Sequence, residues 1–105
     1  MAESAAQLKA EIFNALAHPN RIRIIEFLRN GEQCNCDIYP ALGLEQSNLS
    51  RHLKILLQSG LLISHKEGLR VLYRVADPKI FELIDDVGDL VKSRLHKRVA
   101  VLEET

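Results

Sequence analysis

Apolar residues in this 105-residue chain fall into short periodic groups, and their spacing predicts the elements in order. Ala5, Leu8, Ile12 and Leu16 recur at helical intervals until Ala17-His18-Pro19 interrupts them, which predicts a first helix. After Pro19, Ile22, Ile25 and Leu28 share a face widened by Ile24 and Phe27, and Asn30-Gly31 supplies the stop of a second helix. A short helix is expected over 37–43, closed by Gly43, with a longer one over 46–59. In the longer one Leu49, Leu53, Leu56 and Leu57 form the buried side, and Gly60 ends it. Then the period changes. LLISHKEGLRVLYRV carries β-branched and aromatic residues on both sides of Lys66-Glu67-Gly68, the pattern of a two-stranded ribbon whose glycine takes the positive φ of a tight turn.

Asp77-Pro78 reads as a helix cap followed by a first-turn proline. Ile80, Ile84, Val87, Val91, Leu95, Val99 and Leu102 follow in steps of three or four. At a rise of ~1.5 Å per residue that helix is about 40 Å long. Its apolar stripe is longer than a domain of this size covers by itself, and a second copy of the chain is the natural cover. Two helices around Gly43-Leu44, the second leading into a ribbon, describe a winged helix-turn-helix: mainly α with a small β-hairpin.

Composition narrows the class. With 47% hydrophobic residues, no internal repeat and no linker, residues 1–105 read as a single domain. No apolar run approaches the roughly 20 residues of a membrane span, and MAESAAQLKAEIF lacks a basic start and an apolar signal core. These features predict a cytoplasmic protein with no membrane partner, whose two cysteines stay reduced.

Fourteen Lys and Arg balance fourteen Asp and Glu, yet the charge is uneven. Residues 46–74 hold Arg51, Lys54, Lys66, Arg70 and Arg74 against Glu67 alone, while the segments on either side are each net acidic. The predicted recognition helix opens with Gln46, Ser47 and Asn48, followed by Ser50, Arg51, His52 and Lys54. Small hydroxyl and amide groups near a helix N-terminus suit phosphates and base edges. With Lys66, Arg70 and Arg74 on the ribbon beside them, these residues are expected to face double-stranded DNA; the competing role for Ser47 and Ser50 is to cap or solvate the helix. His18, His65 and His96 are read as surface or capping residues.

LEQSNLSRHLKILLQSGLL followed by EGLRVLYRV resembles the ArsR/SmtB family of bacterial metal-sensing repressors, and the likeness covers about residues 8–100. LAHPNRIRIIEFL resembles that family's second helix, and EQCNCDI its ELCVCDL-type metal box. The resemblance implies a homodimer built by the first and last helices, here through Leu8, Ile12, Val87, Val91 and Leu95. It also implies operator DNA under the recognition helices and wings, with release when metal binds.

Cys34 and Cys36, the only cysteines, stand four residues before Pro40. On a regular helix, residues two apart point about 200° away from one another, so joint capture of one ion requires irregular backbone. Metal–thiolate bonds are only about 2.3 Å long, with zinc as a guide. Pro40 cannot donate an amide hydrogen to the Cys36 carbonyl and biases Tyr39 away from helical geometry, which loosens the helix start; Asp37 is expected to cap what remains. Pulling both sulfurs onto one ion would then unwind or tilt the first helix of the helix-turn-helix and carry the recognition helix with it.

Soft thiolates favour arsenite, antimonite, cadmium, lead or copper(I) over hard cations. The third box cysteine of arsenite sensors falls at Tyr39, and the N-terminal arm lacks the cysteines of cadmium and lead sensors. Of the zinc sensors' last-helix ligands Asp77 matches, but Lys79, Leu90 and Ser93 replace the others. Arsenite or antimonite is therefore the expected inducer, with cadmium, lead or zinc as alternatives. A thiol redox sensor ranks lower, because a disulfide over one intervening residue is strained; a winged-helix regulator without a metal ligand is the remaining variant. A CxC in helical surroundings, with no phosphate loop or catalytic triad order, points away from an enzyme.

Overall fold

The computed structural model describes residues 3–104. Helix α1, Ala5–Leu16, starts at a reciprocal capping box: the Gln7 amide donates to Ser4 Oγ at 3.1 Å and the Ser4 amide to Gln7 Oε1 at 2.8 Å. His18 caps α2, Pro19–Phe27, accepting the Asn20 amide on Nδ1 at 3.0 Å, and Pro19 occupies the first helical position. The second helix ends sooner than the apolar period suggested. Leu28 is buried because it turns into the core from the cap, and a turn then leads to Gly31 at φ 139°.

Next comes strand β1, Gln33–Cys34, which the sequence reading missed because two residues carry no periodicity. Helix α3, Asn35–Leu42, begins two residues before the expected 37, so Cys34 rather than Asp37 is its cap, and Pro40 lies inside it. Gly43 closes α3 in the left-handed conformation, φ 67°. Helix α4, Gln46–Gln58, completes the helix-turn-helix.

Strands β2, Leu62–Glu67, and β3, Arg70–Val75, form the wing. Their loop is Gly68-Leu69 rather than Lys66-Glu67-Gly68, and Gly68 takes the positive φ, 66°. The expected two-stranded ribbon is a three-stranded antiparallel sheet of order β1-β3-β2, in which Gln33 pairs with Tyr73 and Cys34 with Leu72. Helix α5, Lys79–Glu103, follows; its cap position is Pro78 rather than the expected Asp77, one residue earlier, whose Oδ1 nonetheless accepts the Lys79 amide at 2.9 Å.

The core is centred on Ile24, Ile25, Ile38, Leu49 and Leu56, each 1% exposed or less, with Leu62 and Val75 closing it from the sheet. From α5 only Ile80 is fully buried, with Phe81, Leu83 and Ile84 packed at the margin. Past that point Val87, Leu90, Val91, Leu95 and Val99 are exposed, as are Leu8, Ile12 and Phe13 on α1. The protruding helix makes the chain long: its radius of gyration is 16.7 Å, against ~13 Å for a compact chain of this size. Among the described residues no helix is long and apolar enough to cross a membrane.

Candidate DNA-binding face and thiol centre

The amphipathic pattern of α4 leaves Gln46, Ser47, Ser50, Arg51 and Lys54 exposed and Asn48 half-buried. Arg51 donates to Asn48 Oδ1 at 2.7 Å, which aligns the guanidinium along the helix surface. No side chain caps α4; neither Ser47 nor Ser50 takes that role, and the cap position is Glu45. On the wing, Lys66, Arg70 and Arg74 are exposed, and Leu69 stands fully in solvent at its tip. Arg70 approaches Asp37 of α3 at 3.9 Å, an open contact between exposed groups that a phosphate can displace.

His52 departs from the expectation. It is 7% exposed and faces inward, its ring 4.4 Å from that of His18 and its Nδ1 3.4 Å from Arg21 Nη1. Arg21 in turn donates to the carbonyl of Ala15 at 2.6 Å, so His52 keys the recognition helix to the junction of α1 and α2. Burial, then the neighbouring His18, Arg21 and Arg51, pushes its pKa below the ordinary value. The sign was present in the sequence: His52 lies three residues after Leu49 and four before Leu56, on the same buried stripe.

The cysteines depart from it as well. Cys34 and Cys36 are joined as a disulfide, with their Cα atoms 5.1 Å apart, instead of standing as free thiols. The reason is local. As the cap of α3, Cys34 has extended backbone (φ −74°, ψ 146°), so its side chain folds back over the first turn, where the Cys36 amide donates to Cys34 Sγ at 3.1 Å. The irregular backbone needed to bring both sulfurs to one point is present. Cys34 is buried and Cys36 exposed, so the pair is reached from solvent on one side only. The position also joins two parts of the fold: Cys34 belongs to β1, paired with β3 of the wing, and caps α3, which packs on α4.

Of the residues expected at a dimer seam, Leu8 is 47% exposed, Ile12 38%, Val87 44%, and Val91 and Leu95 51% each. A groove of about 350 Å³ runs beside them, lined by Phe13, Leu16, Ile22, Leu83, Val87 and Val91.

A helix-turn-helix with an exposed polar and basic second helix, flanked by a basic β-wing, defines a winged helix-turn-helix DNA-binding regulator rather than an enzyme. Residues 18–64 match the model of the bacterial regulatory protein, arsR family. The chain is 40% identical over 103 residues to the uncharacterized HTH-type transcriptional regulator Rv0081 of Mycobacterium tuberculosis, covering 97% of this chain and 90% of that one. The crystal structure of Rv0081 superposes with a TM-score of 0.82 over 93% of this chain and 99% of that chain, at 36% identity. The homodimeric winged helix-turn-helix domain of Mb0332 from Mycobacterium bovis, solved in solution, gives a TM-score of 0.74 at 31% identity over 85% and 91% of the two chains. A probable mercury resistance operon repressor of Streptomyces lividans is 31% identical over 71% of this chain and 60% of its own length. The chain belongs to the ArsR/SmtB family of transcriptional regulators.

Proposed function

We propose that the protein is a cytoplasmic repressor that holds operator DNA as a homodimer and lets go when a soft metal or metalloid binds reduced Cys34 and Cys36. Exposed apolar faces on α1 and α5, together with the homodimeric Mb0332 domain, support pairing through Leu8, Ile12, Val87, Val91 and Leu95. The exposed side of α4, with Gln46, Ser47, Asn48, Ser50, Arg51 and Lys54, lies in the major groove, and Lys66, Arg70 and Arg74 hold flanking phosphates. His52 acts from beneath, setting the attitude of α4.

The observation that carries the sensing role is the convergence of both sulfurs at the joint of β1 and α3. Once reduced, the pair offers two soft donors to one ion; arsenite or antimonite fits best, with water or a small thiol completing the shell, and cadmium, lead or zinc are the alternatives. A mercury operon repressor among the relatives favours a thiophilic ligand. Re-spacing the sulfurs disturbs the cap of α3 and the β1–β3 pairing together, so recognition helix and wing shift as one. A coupling of ~1–3 kcal/mol per site, acting at both sites of a dimer, lowers operator affinity by orders of magnitude.

The test is fluorescence anisotropy on DNA from upstream of the protein's own gene, with reduced protein and a metal series. Cys34→Ser and Cys36→Ser should each bind DNA like the parent and stay bound in arsenite. Release of Cys34→Ser at parental arsenite concentrations refutes the reading. The disulfide itself supports a second reading, in which two thiols pass two electrons and two protons to a peroxide and the resulting bridge is the signal. Operator release on peroxide alone, reversed by dithiothreitol, would favour that variant.

A further inference from the structure

The wing has a second face, and its residues answer to different chemistry. Leu62 of β2 packs in the core, so alternation turns His65 and Glu67, three and five residues on, to the opposite side. In register, His65 lies across from Leu72, which lies across from Cys34, so a single row crosses the sheet from the wing to the thiol segment. Glu32, just ahead of β1, reaches over this row and places its Oε2 3.5 Å from His65 Nδ1. Donor atoms of Glu32, His65 and Glu67 all lie within 4.8 Å of one another. Arg70, the register partner of Glu67, leans toward Asp37.

We propose that Glu32, His65 and Glu67 form a second metal site, for a borderline divalent cation of the zinc class, separate from the soft-ligand site at the cysteines. One imidazole and two carboxylates make the three-ligand set that such an ion takes with a water in the fourth position. Hard cations such as calcium and magnesium look for six or more oxygens and gain little from the imidazole. Tetrahedral bonds of about 2.0–2.1 Å place donors roughly 3.3 Å apart, so the side chains close by about 1.5 Å at most. All three are exposed, which leaves them free to rotate into place.

The location sets the consequence. The ion would tie β2 to the segment that leads into Cys34, across β3, and so fasten the wing to the thiol segment. It also cancels the charge of two carboxylates beside Lys66 and Arg70, making the wing more attractive to phosphate. Zinc-class ions at this site therefore tighten operator binding, opposite in sign to a soft metal at Cys34 and Cys36. That consequence rests on the DNA-binding reading; the site itself does not.

The experiment uses the full chain carrying Cys34→Ser and Cys36→Ser, so that no thiolate competes. Zinc titrated against a chromophoric chelator near neutral pH should show one tight equivalent per chain. Adding His65→Ala should weaken it at least tenfold, and Glu32→Gln or Glu67→Gln several-fold, with circular dichroism unchanged. No stoichiometric zinc, or equal affinity after His65→Ala, overturns the site. In anisotropy, zinc should raise operator affinity several-fold for the double serine variant and not for its His65→Ala derivative; a bound zinc without that gain overturns the co-repressor role. Should the metal-free variant bind no operator at all, the DNA-binding reading fails, while the chelator titration still judges the site.

Discussion

Val91 is the most direct probe of the dimer, because it lies beyond the part of α5 that packs on its own domain and its side chain is 51% exposed. Fully burying a valine is worth roughly 1.5–3 kcal/mol, so covering the half still in solvent contributes about 1 kcal/mol. In a two-fold seam the position counts twice, for about 2 kcal/mol. Val91→Ala forfeits most of that and should raise the dimer dissociation constant by ten- to thirtyfold. Val91→Asp loses the same burial and adds two carboxylates to an apolar seam, each costing about 2 kcal/mol or more if unpaired, so dissociation should rise by about ten-thousandfold or beyond. Sedimentation equilibrium over nanomolar to micromolar concentrations measures both, and far-UV circular dichroism should show an intact fold, since Ile80 and Ile84 still anchor the helix. A parent protein that is monomeric at micromolar concentration, or a Val91→Asp variant that associates as the parent does, would refute the seam.

Arg70→Ala should weaken binding to every DNA sequence alike and lower the slope of log affinity against log salt by about one, the signature of one lost phosphate contact. Ser47→Ala should change operator preference instead, as measured by anisotropy on single-base operator variants. Tyr39→Cys supplies a third thiolate one turn along α3 and should lower the arsenite concentration needed for release, read in the same assay. The depressed pKa of His52 means that below the ordinary value of about 6.5 the unfolded chain takes up its proton before the folded one. Stability should therefore fall as pH drops through and below 6.5, levelling off once the folded state also protonates. His52→Gln should flatten that part of the thermal midpoint against pH curve, and an unchanged slope would show that the buried ring is not its source.

What the sequence determined by itself was whatever repeats within a turn or two of chain. The i, i+3, i+4 recurrence of Leu49, Leu53 and Leu56, the change to alternation after Gly60, and the Asp77-Pro78 start of α5 each depend on neighbours a few residues away. They were enough for the winged helix-turn-helix, and the apolar stripe from Val87 to Val99 was equally plain. The Cys34-Asn35-Cys36 pair was legible for the same reason, but the loosening expected from Pro40 is not realised: α3 stays helical through Tyr39 and Pro40, and the extended backbone lies at the Cys34 cap instead.

Tertiary structure decided what depends on residues far apart in sequence. Strand β1 exists because Gln33 and Cys34 find backbone partners some forty residues on, and a two-residue strand has no pattern of its own. His52 carries the polarity of a DNA contact, yet α4 docks with that side against His18 and Arg21, so packing rather than residue type assigned it. The cap conformation at Cys34, with the two Cα atoms 5.1 Å apart, is what allows the cysteines to be joined to each other. Glu32, His65 and Glu67 meet only because the sheet runs β1-β3-β2, which sets the end of one loop beside the outward face of a strand thirty residues later. Periodicity records which side of an element is apolar; which neighbour that side meets is settled when the long-range contacts close.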